Sequence, residues 1–160
     1  MKLVIAAALC TCAALAGCGG DGDGDGERTE IPGGADPQEA EVIEDWANAL
    51  REGDIDAAAD YFKVPSVAQN GTPPLQLRTR EDVIDFNEAL PCGAELVSAE
   101  TRDSFTLATF ELTERPGAGE CGSGVGNTAK TAFVIEDGLI TEWVRAVDGS
   151  LPPPAEGPIV

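Results

Sequence analysis

The apolar positions change period once along the chain, near residue 91. Before that point Ile43, Trp46, Ala47 and Leu50 recur at helical spacing. Asp36-Pro37-Gln38-Glu39 supplies the start of this helix: Asp36 can cap it, Pro37 suits its first position, and Glu39 can reach back to close a capping box. Gly53 stops it. Asp54 caps a second short helix predicted over residues 55–62 and ended by Pro65. A third starts at Thr79, with Asp82 three residues on, and carries Val83, Ile84, Phe86, Asn87 and Leu90 up to Pro91. Beyond Pro91 the runs 94–102, 104–113, 128–135 and 139–147 are rich in strand formers. Arg102-Asp103-Ser104 and Glu136-Asp137-Gly138 are short enough to turn hairpins. A short strand is expected near residues 64–68. Helices placed before an antiparallel sheet make an α+β domain with one core.

The two ends of the chain do not fit this domain. Lys2 precedes an apolar run from Leu3 to Leu15 broken only by Thr11. A positive start and about a dozen apolar residues form an export signal, too short for the ~20 residues a bilayer span needs. The run closes on Leu15-Ala16-Gly17-Cys18, which resembles the bacterial lipobox. That resemblance implies cleavage before Cys18 and a lipid on its thiol, holding the protein on the extracytoplasmic face of the cell membrane. Residues 1–17 are then signal peptide, and residues 18–35 are lipidated Cys plus a Gly/Asp linker. Asp21, Asp23, Asp25 and Gly26 copy the start of a calcium loop, but Pro32 stands where its bidentate Glu should be. A flexible tether of about 20–25 Å is the better reading, and no metal is expected. Residues 36–148 form the domain. Residues 149–160, with Pro152, Pro153, Pro154 and Pro158, form an extended tail.

Charge narrows the partners. The chain has 160 residues, 29 acidic and 10 basic, no His, and a net charge of −19. Loss of Lys2 with the signal makes the mature chain one unit more negative. The excess of acid makes nucleic acid a poor candidate partner, so none is expected, and the domain should stand off from an anionic bilayer. Without His, triads, Cys-His dyads and imidazole-zinc sites are excluded.

Of five cysteines, Cys10 and Cys12 leave with the signal and Cys18 takes the lipid. Cys92 and Cys121 remain as an even pair in an oxidising compartment, so a structural disulfide is expected. They lack the Cys-x-x-Cys spacing of a redox or metal pair. Gly117-Ala118-Gly119-Glu120-Cys121-Gly122 has the letters of a dinucleotide loop. A strand follows it rather than a helix, so it reads as a connector and no cofactor is expected.

Four segments together resemble the nuclear transport factor two superfamily, which includes ketosteroid isomerases and SnoaL-like cyclases. They are Trp46 with Leu50-Arg51-Glu52-Gly53-Asp54-Ile55-Asp56-Ala57-Ala58; Tyr61-Phe62; Thr79-Arg80-Glu81-Asp82-Val83-Ile84-Asp85-Phe86; and Ile135-Glu136-Asp137-Gly138-Leu139-Ile140-Thr141-Glu142-Trp143. The resemblance implies a cystatin-like cone, a curved antiparallel sheet packed on three N-terminal helices, whose mouth holds an apolar ligand. Isomerase chemistry needs a carboxylate base, a Tyr and a protonated Asp. Aligned on Gly53-Asp54, the base position falls on Asn70, or on Gln69 with one slip. The Tyr position falls on Trp46, and residues 121–135 up to Ile135 hold no acid for the third role.

Two readings follow. The first is a lipid-anchored, non-catalytic module for a small apolar ligand or a protein partner, with Trp46, Tyr61, Trp143 and Arg145 around the ligand. The second is an exported isomerase- or cyclase-type enzyme using Asp60, Tyr61 and Arg145. The bland alternative has the aromatics as packing, Arg145 as a partner for nearby acids and Asp60 facing solvent. Glu142, Val144 and Ala146 share the outer sheet face, whose mixed polarity leaves a homodimer undecided.

Overall fold

A computed structural model describes residues 31–71, 73–117 and 119–147. The signal peptide, the Asp/Gly tether, Cys18 and the tail from residue 148 lie outside the described residues. Helix α1 (Pro37–Glu52) presents Ile43, Trp46, Ala47 and Leu50 as one buried stripe. Each large apolar side chain of that stripe contributes about 1.5–3 kcal/mol by leaving water. At its end Gly53, at φ 79°, donates back to the carbonyls of Ala49 and Leu50, a left-handed cap that glycine adopts without strain. Asp36 caps the start by accepting from the backbone of Gln38 and Glu39.

The expected capping box at this start does not form. Glu39 accepts instead from the Thr106 hydroxyl, and the Asp36 N–H donates to Thr101 at 3.1 Å. Both polar groups are drawn onto the sheet, because the helix lies across it and their partners are within reach. The box forms at α3 (Arg80–Glu88), between Thr79 and Asp82. There the backbone N–H groups of Arg78 and Thr79 hold the Asp82 carboxyl below the usual range.

Helix α2 (Ile55–Asp60) is shorter than its sequence suggests. Tyr61 closes it and Phe62 already begins β1 (Phe62–Gln69). Pro65 is therefore inside a strand rather than at the end of a helix. It is tolerated because the pairing of β1 with its neighbour skips from Phe62 to Val67, so its missing N–H breaks no ladder there. After β2 (Leu75–Leu77) and α3 come β3 (Gly93–Arg102), β4 (Phe105–Thr113), β5 (Thr128–Glu136) and β6 (Leu139–Ala146). Asp137 and Gly138, both at positive φ, form the two-residue turn between β5 and β6.

The six strands lie in the order β2-β1-β6-β5-β4-β3. All pairs are antiparallel except β1 with β6, which run parallel. The sheet is thus mixed and has six strands, one of them (β2) unforeseen. Its inner face packs Ala108, Phe110, Phe133 and Trp143 against α1. Leu107, Ala132 and Ala146 form a small cluster with Phe105 on the opposite face. Glu142 and Val144 are half-buried there. Residues 32–35, read as the end of the tether, dock on β3: Ala99 donates to Pro32 at 2.9 Å, and Ala35 donates to Ala99 at 3.1 Å.

Candidate functional site

Trp46 sits at the centre of the core, edge-on to Phe62, Phe110, Phe133 and Trp143 at centroid distances of 5.6 to 6.4 Å. Its indole N–H donates to Asn87 Oδ1 at 3.0 Å, and Asn87 donates to the Val83 carbonyl at 2.9 Å. Asn87 is fully buried. A polar residue on the buried face of a helix needs a partner, and a buried indole needs an acceptor. Asn87 lies among Val83, Phe86 and Leu90, so this requirement was written in the sequence, and Trp46 meets it.

On one side of Trp46 the packing leaves a cavity of about 100 Å³. Trp46 and Leu50 of α1, Phe110 and Leu112 of β4, Trp143 of β6 and the segment Leu90–Cys92 wall it. The polar side chains on its lining are Asn70, Thr131 and Arg145. Sheet pairing places them together. Ala68 pairs with Trp143 and Gln69 with Val144, which sets Asn70 beside Arg145. Thr131 lies opposite Arg145, as Phe133 lies opposite Trp143. Arg145 is exposed at the rim, and its Nη1 donates to Asn70 Oδ1 at 3.3 Å. The Trp143 indole N–H, in contrast to that of Trp46, is buried with no acceptor among the described residues.

Of the expected ligand residues, Trp46, Trp143 and Arg145 meet at this cavity and Tyr61 does not. Tyr61 ends α2, its carbonyl accepts from the Ile140 N–H, and its side chain packs on the flank of the core. Burial, then the nearby charges of Asp45 and Asp60, push its hydroxyl pKa up. Asp45 is itself raised, by burial and by Glu41. Asp60 faces outward and pairs with Arg80 at 2.9 Å. Asp60, Tyr61 and Arg145 are therefore not assembled around one hollow. No group of metal-ligating residues occurs among the described residues.

The cavity wall has two fasteners. Cys92 and Cys121 are joined by a disulfide. Arg115 is 7% exposed and forms no ion pair among the described residues. It donates to the carbonyls of Leu90, Glu88 and Asn87 at 2.7 to 3.2 Å, and burial lowers its pKa, with Glu88 opposing. It thus satisfies the end of α3 that carries Leu90 into the cavity wall. No pattern in the sequence marks Arg115. We expect Arg115→Met to cost about 2–3 kcal/mol, since two buried carbonyls and one part-buried carbonyl lose a charged donor. Arg115→Lys should recover little, because one ammonium cannot serve the same fork. Urea denaturation of the three proteins measures both effects.

No protein-family model matches the chain and no curated protein matches it in sequence. Solved structures do match its fold. A protein provisionally assigned as a polyketide cyclase, from Sinorhizobium meliloti, matches with a TM-score of 0.52 at 18% identity, covering 66% of this chain and 94% of its own. An NTF2-like protein of unknown function from Cytophaga hutchinsonii gives 0.54 at 12%, covering 76% and 94%. A protein provisionally assigned as a ketosteroid isomerase, from Kribbella flavida, gives 0.51 at 13%, covering 74% and 84%. The described domain has the α+β fold of nuclear transport factor two-like and cystatin-like proteins, three helices on a curved six-stranded sheet. These identities establish the fold and not an activity.

Proposed function

We propose that this protein is a lipid-anchored extracytoplasmic module that binds a small apolar ligand without transforming it. The lining of the cavity carries this reading. Its walls are aromatic and aliphatic, and Asn70, Thr131 and Arg145 are its polar side chains. An amide, an alcohol and a guanidinium neither take nor give a proton readily at neutral pH. Asn70 stands where the isomerase resemblance calls for a carboxylate base. Isomerases and cyclases share the fold, but fold alone does not confer chemistry. The Asp60-based enzyme reading loses its motivation, because Asp60 is bound to Arg80 outside the hollow. Anchoring rests on the Leu15-Ala16-Gly17-Cys18 sequence, and the Gly/Asp tether would set the cup clear of the headgroups.

Two measurements test this. Cells grown with labelled palmitate should label the full-length chain and fail to label Cys18→Ala; equal labelling ends the anchor. Native mass spectrometry of the gently extracted protein should show an added small mass that denaturation releases. Recovery of that molecule as a mixture of substrate and product would replace the binding module with an enzyme.

A further inference from the structure

We infer that the ligand is a small organic acid, a carboxylate on an apolar body, held by Arg145 at the cavity rim. The inference rests on reading the cavity as a ligand site and adds the chemistry of its occupant. Acids outnumber bases 29 to 10 in this chain. Lys63, Arg80 and Arg102, all on the surface, each hold a carboxylate within 3.1 Å. Arg51, Arg78, Arg115, Lys130 and Arg145 form no ion pair among the described residues, and of these Arg145 is the one that lines the cavity. The recorded contact of Arg145 is the neutral amide oxygen of Asn70. A guanidinium has five N–H donors in a planar fork suited to two carboxylate oxygens, and Asn70 occupies one. Because Asn70 accepts through its oxygen, its NH2 is left as a further donor at the same rim. A carboxylate arriving here displaces no acid of the described residues.

The rest of the cavity sets the body of the ligand. Trp46, Phe110 and Trp143 offer ring faces and edges, and about 100 Å³ is available. An apolar cavity of ~150 Å³ accepts benzene; this hollow is smaller but open at its rim, so one ring or a short branched chain with its polar end outside is the upper limit and a polycyclic skeleton is too large. A doubly charged phosphate suits the site less well. It would face a chain of net charge −19 with one guanidinium to meet it.

Both tryptophans of the chain line the cavity, so intrinsic emission of the full-length protein reports its occupancy. Benzoate and its neutral isostere benzamide are the probes. Benzoate should shift the emission saturably and bind about tenfold tighter than benzamide at neutral pH. In Arg145→Gln, an exposed position where the fold is retained, benzoate should weaken about tenfold and benzamide should not change. Equal affinities in the natural protein, or an undiminished benzoate preference in Arg145→Gln, would overturn the acid while leaving an apolar ligand site. Silence from both probes at millimolar concentration would overturn the ligand site itself.

Discussion

Trp46→Ala should destabilise the domain by about 4 kcal/mol, the largest loss expected from any single side chain here. Three effects converge on that position. The indole is 2% exposed, so its whole transfer free energy is at stake. It touches four other rings, and those edge-to-face contacts are lost with it. Its removal also strands Asn87 Oδ1, a fully buried acceptor. The last effect can be isolated. Trp46→Phe keeps most of the apolar surface but leaves Asn87 without its donor, at a cost of about 1–3 kcal/mol. Adding Asn87→Leu to Trp46→Phe should restore part of that loss, since removing both polar partners is far cheaper than removing one. In the natural background Asn87→Leu should destabilise, because it orphans the indole N–H. Urea unfolding of the four proteins closes the cycle. Additive losses would show that the Trp46–Asn87 bond contributes nothing of its own.

That pair also shows what the sequence discloses and what it does not. The helical stripe of α1, the start of α3 and the four long strands follow from period and turn chemistry, because each is decided within a few residues. The boundary at Phe62 does not follow. The segment from Ile55 to Phe62 has a helical pattern, but the chain must leave the helix to pair Phe62 with Ile140 of β6, a partner 78 residues away. β2 was invisible for the same reason: three residues carry no period, and only pairing with β1 makes them a strand. Sequence offers Glu39 only a local partner, the Asp36 N–H, whereas Thr106 and Thr101 come from the sheet.

The candidate site divides along the same line. Trp143 and Arg145 share a face by simple alternation within β6, which is legible. Asn70 reaches Arg145 only through the parallel register of β1 on β6, and the family resemblance rather than any local pattern singled it out. Tyr61 is among the ligand residues expected from sequence, where nothing local fixes which way its side chain turns. Its position as the cap of α2 turns its side chain to the flank instead. Thr131 and Arg115 carried no local signal, since each acquires its role from a strand or helix end far along the chain.

Replacing both Cys92 and Cys121 with alanine should cost up to about 3.6 kcal/mol, mostly through the unfolded state. The two residues are 29 apart in sequence, and the loss is the closure entropy of the loop between them. This origin distinguishes the bond from Arg115, which acts on the folded protein alone. Without the crosslink the unfolded chain expands and exposes more surface, so the urea m-value should rise as the midpoint falls. Arg115→Met should move the midpoint with m unchanged. The protein, denatured without reductant, should show no reactive thiol at either position. A fall in stability at constant m would transfer the effect of the disulfide from the unfolded chain to the cavity wall itself. There Gly124 lies against both sulfurs, close enough that an added Cβ would meet Cys121 Sγ at 2.9 Å. In that case Gly124→Ala, which crowds the sulfurs without opening the loop, should reproduce much of the loss. If the entropic account holds, Gly124→Ala should leave the unfolded chain, and hence m, as it is.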